Sequence, residues 1–331
     1  MNIYIYILFF LCGIFIYYII NNINKLDIGD DQPIIGGWCM CANNFPLWDS
    51  TKTNTLIAGG FDPDGSIGPF DKFGISISNN LSLNDKCFNS SFLDNYDNKW
   101  LSVGGDWVGC KSLSSSCPNE YSDCLNKNNI IRLINKYKFN GIAFDMEGCL
   151  HLDNSSKSVF NSIKKLILDI KIKYPKFIFV YVGEDYLPYY SDYLSSSGTN
   201  NLFTYIAPML YWEDTTYQST YTTTNIDNTL KTWTENDWSN DQIILTFQTI
   251  SAAGGCKYSS TENCTPELAV QYRKNINNIS KGKNILDYLV GIYKKQNYVG
   301  FLGWPPVYKN NKDGKDDCDY CINYIKNKIL N

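Results

Sequence analysis

Two acidic residues, Asp145 and Glu147, end the stretch GIAFDME that begins at Gly141. Successive side chains of an extended chain point to opposite faces, so the two carboxylates share a face with Gly141 and Ala143, while the other face is wholly apolar. Two carboxylates at neighbouring positions on one face cannot both ionise freely, so one of them can keep a proton and donate it near neutral pH. The spacing therefore indicates acid–base chemistry, with a structural ion pair or a solvated strand end as the alternative.

Other catalytic chemistries find little support in the sequence. His151 is the only histidine, and no G-x-S-x-G or G-x-x-x-x-G-K-[ST] motif occurs, so a serine hydrolase or a P-loop enzyme is not indicated. The motifs CMC (39–41) and CDYC (318–321) could bind zinc, but paired CxxC motifs at zinc-ribbon spacing are missing. The formal net charge of -4 is too mixed for a nucleic-acid-binding stripe. We therefore expect no cofactor, no metal and no nucleic-acid partner.

Eight strand-like runs recur along the chain and must position the two acids. They are GGWCM (36–40), TLIAGGF (55–61), WLSVGG (100–105), GIAFDME (141–147), FIFVYVG (177–183), FTYIAPMLY (203–211), QIILTFQ (242–248) and VGFLGW (299–304). Amphipathic stretches at helical spacing lie between most of them, the clearest at 130–138, 159–174 and 268–279. Strands that alternate with helices in this way predict an α/β fold, a (β/α)8 TIM barrel, with a doubly wound sheet as the alternative.

The fourth of these strands carries the acids. Barrel strands face helices on the outside, which accounts for the apolar face of GIAFDME, and such folds place their chemistry at the C-terminal mouth. We therefore expect Asp145 and Glu147 to point into the barrel at its mouth.

Four stretches resemble the signature motifs of glycoside hydrolase family 18, the chitinases and endo-β-N-acetylglucosaminidases, in the same order and across residues 34–308. NGIAFDME (140–147) resembles the family's D-G-x-D-x-D-x-E motif on the fourth strand, and LSVGG (101–105) resembles the S-x-G-G strand before it. APMLYW (207–212) resembles the M-x-Y motif of the sixth strand, and GFLGW (300–304) resembles the eighth strand.

The resemblance implies a role for each matched residue. Glu147 falls on the family's general acid, Asp145 on the aspartate that orients the substrate's acetamido group, and Tyr211 on the tyrosine that contacts this group. Trp304 falls on the tryptophan that forms the floor of the sugar site. The other residues expected to bind substrate are Met209, Trp212, Gly104 and Gly105.

The resemblance also implies hydrolysis of β-linked N-acetylglucosamine, in chitin or in the core of N-glycans. The substrate's own acetamido oxygen then serves as the nucleophile, so a single enzyme acid suffices. The expected partner is thus a polysaccharide or glycan that contains this sugar. Two positions depart from the motif, because Asn140 and Ala143 stand where the family has aspartates. They leave open a catalytically inactive, lectin-like protein that binds glycans, or a structural surface protein.

The N-terminus carries an uncharged run, residues 3–20, which is long enough to cross a bilayer core of about 30 Å. We expect a single-pass transmembrane anchor or uncleaved signal at 1–22, a linker at 23–33 and the glycosidase-like barrel at 34–331. A cleaved signal peptide, which would make the protein secreted, is the alternative. Eleven of the 12 cysteines follow this run, which predicts disulfide bonds and a barrel on the extracellular or lumenal side of the membrane.

Overall fold

The structure is a computed structural model, and it describes residues 32–40, 48–61, 93–104, 127–146, 156–183, 191–199, 201–210, 223–248, 276–304 and 311–330. The chain divides into two units, Met1–Pro33 and Ile34–Asn331, and the strands and helices described below belong to the second. None of the helices within the described ranges is long and apolar enough to cross a membrane. The predicted membrane segment 3–20 lies outside these ranges, so it stays a prediction.

Eight parallel strands form one sheet that closes into a barrel. They are β1 (Ile34–Met40), β2 (Thr55–Phe61), β3 (Asn98–Gly104), β4 (Gly141–Met146), β5 (Ile178–Gly183), β6 (Tyr205–Pro208), β7 (Ile244–Gln248) and β8 (Gly300–Trp304). Their order in the sheet is β6-β5-β4-β3-β2-β1-β8-β7, so β1 pairs with β8 and the first and last strands of the chain are neighbours. The predicted (β/α)8 barrel is confirmed, and each strand overlaps its predicted run.

Helices alternate with the strands and cover the outside of the barrel. They are α1 (Lys127–Tyr137), α2 (Ser156–Lys173), α3 (Ser191–Leu194), α4 (Thr223–Thr234), α5 (Ile276–Gln296) and α6 (Asn311–Leu330). The first two agree with the predicted amphipathic stretches. The third predicted stretch, 268–279, overlaps only the start of α5, which continues to Gln296. Residues 268–275 lie outside the described residues.

Strand side chains divide into two buried clusters, one on each side of the sheet. The outer cluster joins strand residues to helix residues, and it contains Ile142, Phe144 and Met146 of β4. The inner cluster consists of residues from the strands or directly beside them, so it fills the barrel. Its members are Ile34, Trp38, Ile57, Trp100, Ala143, Ile178, Val180, Val182, Tyr205, Ala207, Met209, Ile244 and Leu302. The alternation predicted for the fourth strand is thus confirmed.

The seam between β6 and β7 closes the barrel with little regular pairing. A single bridge between the described residues of the two strands joins Ile206 to Ile243. Farther along, the Thr246 hydroxyl donates a hydrogen bond to the Pro208 carbonyl and accepts one from the Leu210 N–H at 2.8 Å. Proline has no N–H to offer a ladder, so a side chain from β7 replaces the missing backbone pairing at this seam.

Each of the strands β2, β4 and β6 is directly preceded by a polar residue that binds the strand before it in the chain. These residues lie at the base of the barrel, which is the N-terminal end of the strands. The Asn54 N–H donates to the Ile35 carbonyl at 2.9 Å, and the Ile35 N–H donates back to Asn54 Oδ1 at 2.9 Å. Asn140 forms the same reciprocal pair with Lys99 of β3, and Thr204 forms it with β5. These side chains fix the register of neighbouring strands where the ladders begin.

Candidate active site

Asp145 lies at the C-terminal end of β4, on the inner face of the barrel. Its side chain is only 5% exposed. In the sheet register it stands between Gly104 of β3 and Val182 of β5. The structure therefore places Asp145 where the sequence predicted it, at the mouth of the barrel and pointing inward.

Ala143 occupies the same face two residues earlier, where the family motif has an aspartate. Its register neighbours are Ser102 of β3 and Val180 of β5, and it is completely buried in the inner cluster. An unpaired carboxylate in such apolar surroundings would be costly to bury. Asp145 thus has a methyl group, and not a second carboxyl, at the position below it on the same strand face.

Gly141, at the start of β4, makes room for Trp100. The two residues are register partners, and a Cβ atom at position 141 would lie 2.4 Å from Trp100 Cδ1. Trp100 is completely buried and belongs to the inner cluster, so its indole fills the lower part of the barrel. The glycine of the fourth strand is therefore a packing requirement and not part of the chemistry.

Asn140, the other departure from the family motif, lies at the opposite end of the strand from Asp145. Its Oδ1 atom accepts the Lys99 N–H at 2.8 Å, and its Nδ2 donates to the Asp97 carbonyl at 2.8 Å. Its backbone carbonyl also accepts the Ile178 N–H at 3.0 Å. Both halves of the amide are in use, so Asn140 is a structural residue at the barrel base.

Trp304 ends β8 and is half-buried beside the inner cluster. Its ring meets the ring of Trp38 edge to face, with centroids 5.7 Å apart and planes at 66°. Trp38 itself is held by β1, and its carbonyl accepts a hydrogen bond at 2.9 Å from the Trp48 indole. The two rings form an aromatic pair on the β1–β8 side of the barrel, in which Trp304 is the partly exposed ring on which the apolar face of a sugar could stack.

Two buried indole donors face the barrel interior. Trp38 is 1% exposed and Trp100 is completely buried, yet no atom of the described residues accepts a hydrogen bond from either Nε1. A buried indole N–H usually has a partner. Neither tryptophan was singled out by the sequence reasoning. For Trp38 a signal existed, because its alternation within GGWCM places it on the same face as Gly36.

The remaining predicted site residues are described in part. Met209 follows β6, is 5% exposed and belongs to the inner cluster with Ala143 and Trp38. Its N–H donates to the Gly183 carbonyl at 2.9 Å, which extends the pairing of β5 with β6. The residues that lie outside the described part of the chain are Glu147, Tyr211, Trp212 and Gly105. Their predicted positions therefore stay predictions.

Metal ligation finds no site within the described ranges. No group of three His, Cys, Asp or Glu side chains there could hold a metal ion. Cys39, from the CMC motif, is buried, and burial raises the pKa of its thiol to about 12.

Known structures with this fold were found by comparison. No family model and no curated protein matches the sequence. Among solved structures, a chitinase from Rhizomucor miehei is similar at 14% identity and a TM-score of 0.55, over 89% of this chain and 99% of that one. A chitinase from Bacteroides thetaiotaomicron is similar at 16% identity and a TM-score of 0.57, over 91% of this chain and 97% of that one. A GH18 chitinase from Cycas revoluta, in complex with (GlcNAc)3, is similar at 11% identity and a TM-score of 0.57, over 88% of this chain and 98% of that one. The chain therefore has the barrel fold of the glycoside hydrolase family 18 chitinases, and the resemblance seen in its sequence is confirmed at the level of the fold.

Proposed function

We propose that the chain is a divergent family 18 glycoside hydrolase that cleaves β-linked N-acetylglucosamine, in chitin or in the core of N-glycans. The observation that carries the proposal is Asp145, an inward-facing carboxylate buried at the C-terminal end of β4, two residues before Glu147. The substrate class is supported by the Cycas revoluta chitinase, which has been solved with (GlcNAc)3 and also with allosamidin.

The proposed reaction uses the substrate's acetamido group as the nucleophile. The acetamido carbonyl oxygen attacks the anomeric carbon while the glycosidic C–O bond breaks, and Glu147 donates its proton to the leaving oxygen. Asp145 accepts a hydrogen bond from the acetamido N–H, and Tyr211 donates one to the acetamido oxygen. Water then opens the oxazolinium intermediate with Glu147 as the base, so the product keeps the β configuration.

Trp304, supported by the buried ring of Trp38, supplies the binding surface in this proposal. A sugar ring stacked on Trp304 would lie over the barrel interior, within reach of the inward-facing residues at the strand ends. The Trp38 ring is buried beside Trp304 and holds it in place, because the two rings meet edge to face with centroids 5.7 Å apart.

A second candidate function is glycan binding without hydrolysis, in the manner of a lectin. Ala143 favours it, because an alanine buried between Ser102 and Val180 cannot share a proton or a hydrogen bond with Asp145. Retention of both Asp145 and Glu147 favours the enzyme, since a protein that only binds has no chemical need for a proton donor. The two candidates share a binding site and differ only in turnover.

Incubation of the purified chain with chitin oligomers and with a high-mannose glycoprotein, with the products weighed by mass spectrometry, distinguishes the candidates. The enzyme is expected to release fragments that retain the β configuration and to leave substrates with a free 2-amino group intact. Binding of the same oligomers, measured by calorimetry, without any product would assign the lectin. Neither binding nor hydrolysis would reject the site altogether.

A further inference from the structure

The helices α1 and α2 form a strongly basic part of the barrel surface. Together they contain eight basic residues and one acidic residue, Asp169, and one of the eight, Lys171, is half-buried with its Nζ donating to the Leu202 carbonyl at 3.4 Å. The rest of the chain contains 21 basic and 32 acidic residues, so the charge of this pair of helices is opposite to that of the remainder. Lys138 and Lys176, just beyond the two helices, are exposed and extend the same positive charge.

Contacts between the two helices make them one continuous face, which we term the α1–α2 surface. Lys127 Nζ lies 2.5 Å from Asp169 Oδ2, so the one acid of the two helices is already paired. Lys173 Nζ donates to Asn135 Oδ1 at 3.5 Å, and the Tyr174 hydroxyl donates to the same oxygen.

Among the described residues, Asp94 is an acid in the turn before β3 that lies near the edge of this surface. The hydrogen bond and the charge of Lys99, whose Nζ lies 2.8 Å from Asp94 Oδ1, are the main causes that lower the pKa of Asp94. The charge of Lys138 adds to this effect. Asp94 therefore neutralises only the edge of the α1–α2 surface.

Two aliphatic side chains stand out of this basic face into solvent. Leu168 is 44% exposed and Ile172 is 84% exposed, one turn apart on the outer side of α2. Lys164 and Lys165 share that side of the helix, while the inner side packs Phe160, Ile163, Leu166, Ile167 and Ile170 into the barrel. Two adjacent exposed aliphatic side chains beside lysines can enter the headgroup region of a membrane while the lysines contact the phosphates.

The α1–α2 surface lies toward the base of the barrel. Barrel helices run antiparallel to the strands, so the C-terminal ends of α1 and α2 lie at the strands' N-terminal ends, where Ile172 precedes β5 by a few residues. Docking through α1 and α2 leaves α5, which follows β7 and precedes β8 on the opposite side of the barrel, away from the bilayer.

We propose that the α1–α2 surface docks on a bilayer that contains anionic lipids. The lysines bind the headgroup phosphates, and Leu168 and Ile172 insert among the headgroups. A nucleic acid fits the surface less well, because its phosphates would use the lysines but nothing in its backbone would cover the two aliphatic side chains, and no exposed aromatic residue offers a base a stacking platform on the described part of α2.

Lysine footprinting of the full chain tests the proposal. The chain is incorporated into vesicles of phosphatidylcholine alone or with about one third phosphatidylserine, labelled with an amine-reactive ester and read by mass spectrometry. We expect the labelling rates of Lys164, Lys165 and Lys173 to fall at least about fivefold in the anionic vesicles, and high salt to restore them. Lys294 and Lys295, exposed on α5, serve as internal controls whose rates stay equal in both vesicles.

Matched variants locate the contact. Ile172→Ser is expected to abolish most of the protection of the α2 lysines. The double variant Lys294→Gln, Lys295→Gln, at the two control positions, should leave this protection unchanged. Thermal melts confirm that each variant is folded. Equal labelling of the α2 lysines in neutral and anionic vesicles would overturn the proposal. Protection of these lysines by a duplex oligonucleotide in neutral vesicles, without protection by anionic lipid, would assign the surface to a nucleic acid instead.

Discussion

Asn140 is expected to stabilise the barrel base, so restoring the aspartate of the family motif at this position should weaken the protein. Asn140→Asp removes the Nδ2 donor of the 2.8 Å bond to the Asp97 carbonyl but keeps an oxygen to accept the Lys99 N–H. One lost hydrogen bond at an exposed site lowers the free energy of unfolding by about 1 kcal/mol. Asn140→Ala removes both bonds and leaves the partly buried Lys99 N–H without its acceptor, which raises the loss to about 2–4 kcal/mol.

Chemical denaturation, followed by tryptophan fluorescence, measures both losses. The control is Asn95→Asp, which adds the same charge at an exposed position of the neighbouring turn. Below the pKa of the new carboxyl, the protonated group can again donate to the Asp97 carbonyl, so the loss in Asn140→Asp should shrink as the pH falls. Hydrolysis per folded molecule should not change, because Asn140 and Asp145 are about 16 Å apart along the strand.

The reasoning is refuted if Asn140→Asp is as stable as the parent protein, or if the alanine variant is the more stable of the two. Either result would mean that the two bonds of the amide contribute nothing. A gain of activity in Asn140→Asp would contradict the structural role and return this position to the catalytic machinery.

Three further predictions concern the site and the stability of the barrel. Glu147→Gln should lower turnover by ~10²–10⁴-fold while calorimetry shows binding of chitin oligomers unchanged, and undiminished hydrolysis would remove Glu147 from its role. Trp38→Phe leaves a smaller ring to support Trp304, so affinity for the oligomers should fall at a smaller cost in stability than the ~3–5 kcal/mol of Trp38→Ala; equal affinity would argue against support of Trp304 by Trp38. Hydrogen bonds from Thr51 lower the pKa of Asp49, so its stabilising effect is present above the unfolded pKa and is lost as the pH falls through the folded one. Asp49→Asn should therefore make the denaturation midpoint less sensitive to acid below about pH 5, and an unchanged acid profile would contradict this.

The parts of the fold that depend on short-range pattern could be predicted from the sequence. Alternation along GIAFDME was enough to place Ala143 and Asp145 inside the barrel, because a strand buried on both faces still has a period of two. The extent of α5 could not be predicted so well, since its sequence, INNISKGKNILDYLVGIYKKQ, includes two glycines that interrupt the helical signal.

Features that depend on distant partners were beyond the sequence. The amide of Asn140 binds Lys99, 41 residues away, and the Gly141 position is shaped by Trp100 of the neighbouring strand. The same limit applies to the pairing of Trp38 with Trp304, which joins the first strand to the last. A motif comparison could mark positions 140 and 143 as departures, but only the fold shows that they lie at different heights of the barrel and have different consequences.

The side-chain closure between β6 and β7 also determines where this protein is exposed to aggregation. If the Thr246 hydroxyl releases Pro208 and Leu210, the barrel opens into a sheet whose two edges are β6 and β7. The β6 edge is short and ends in a proline, which cannot donate to an incoming strand. The β7 edge, ILTFQ, has no charge and no proline, so it can template pairing with another chain. Fibril or inclusion-body formation in destabilised variants should therefore begin at β7.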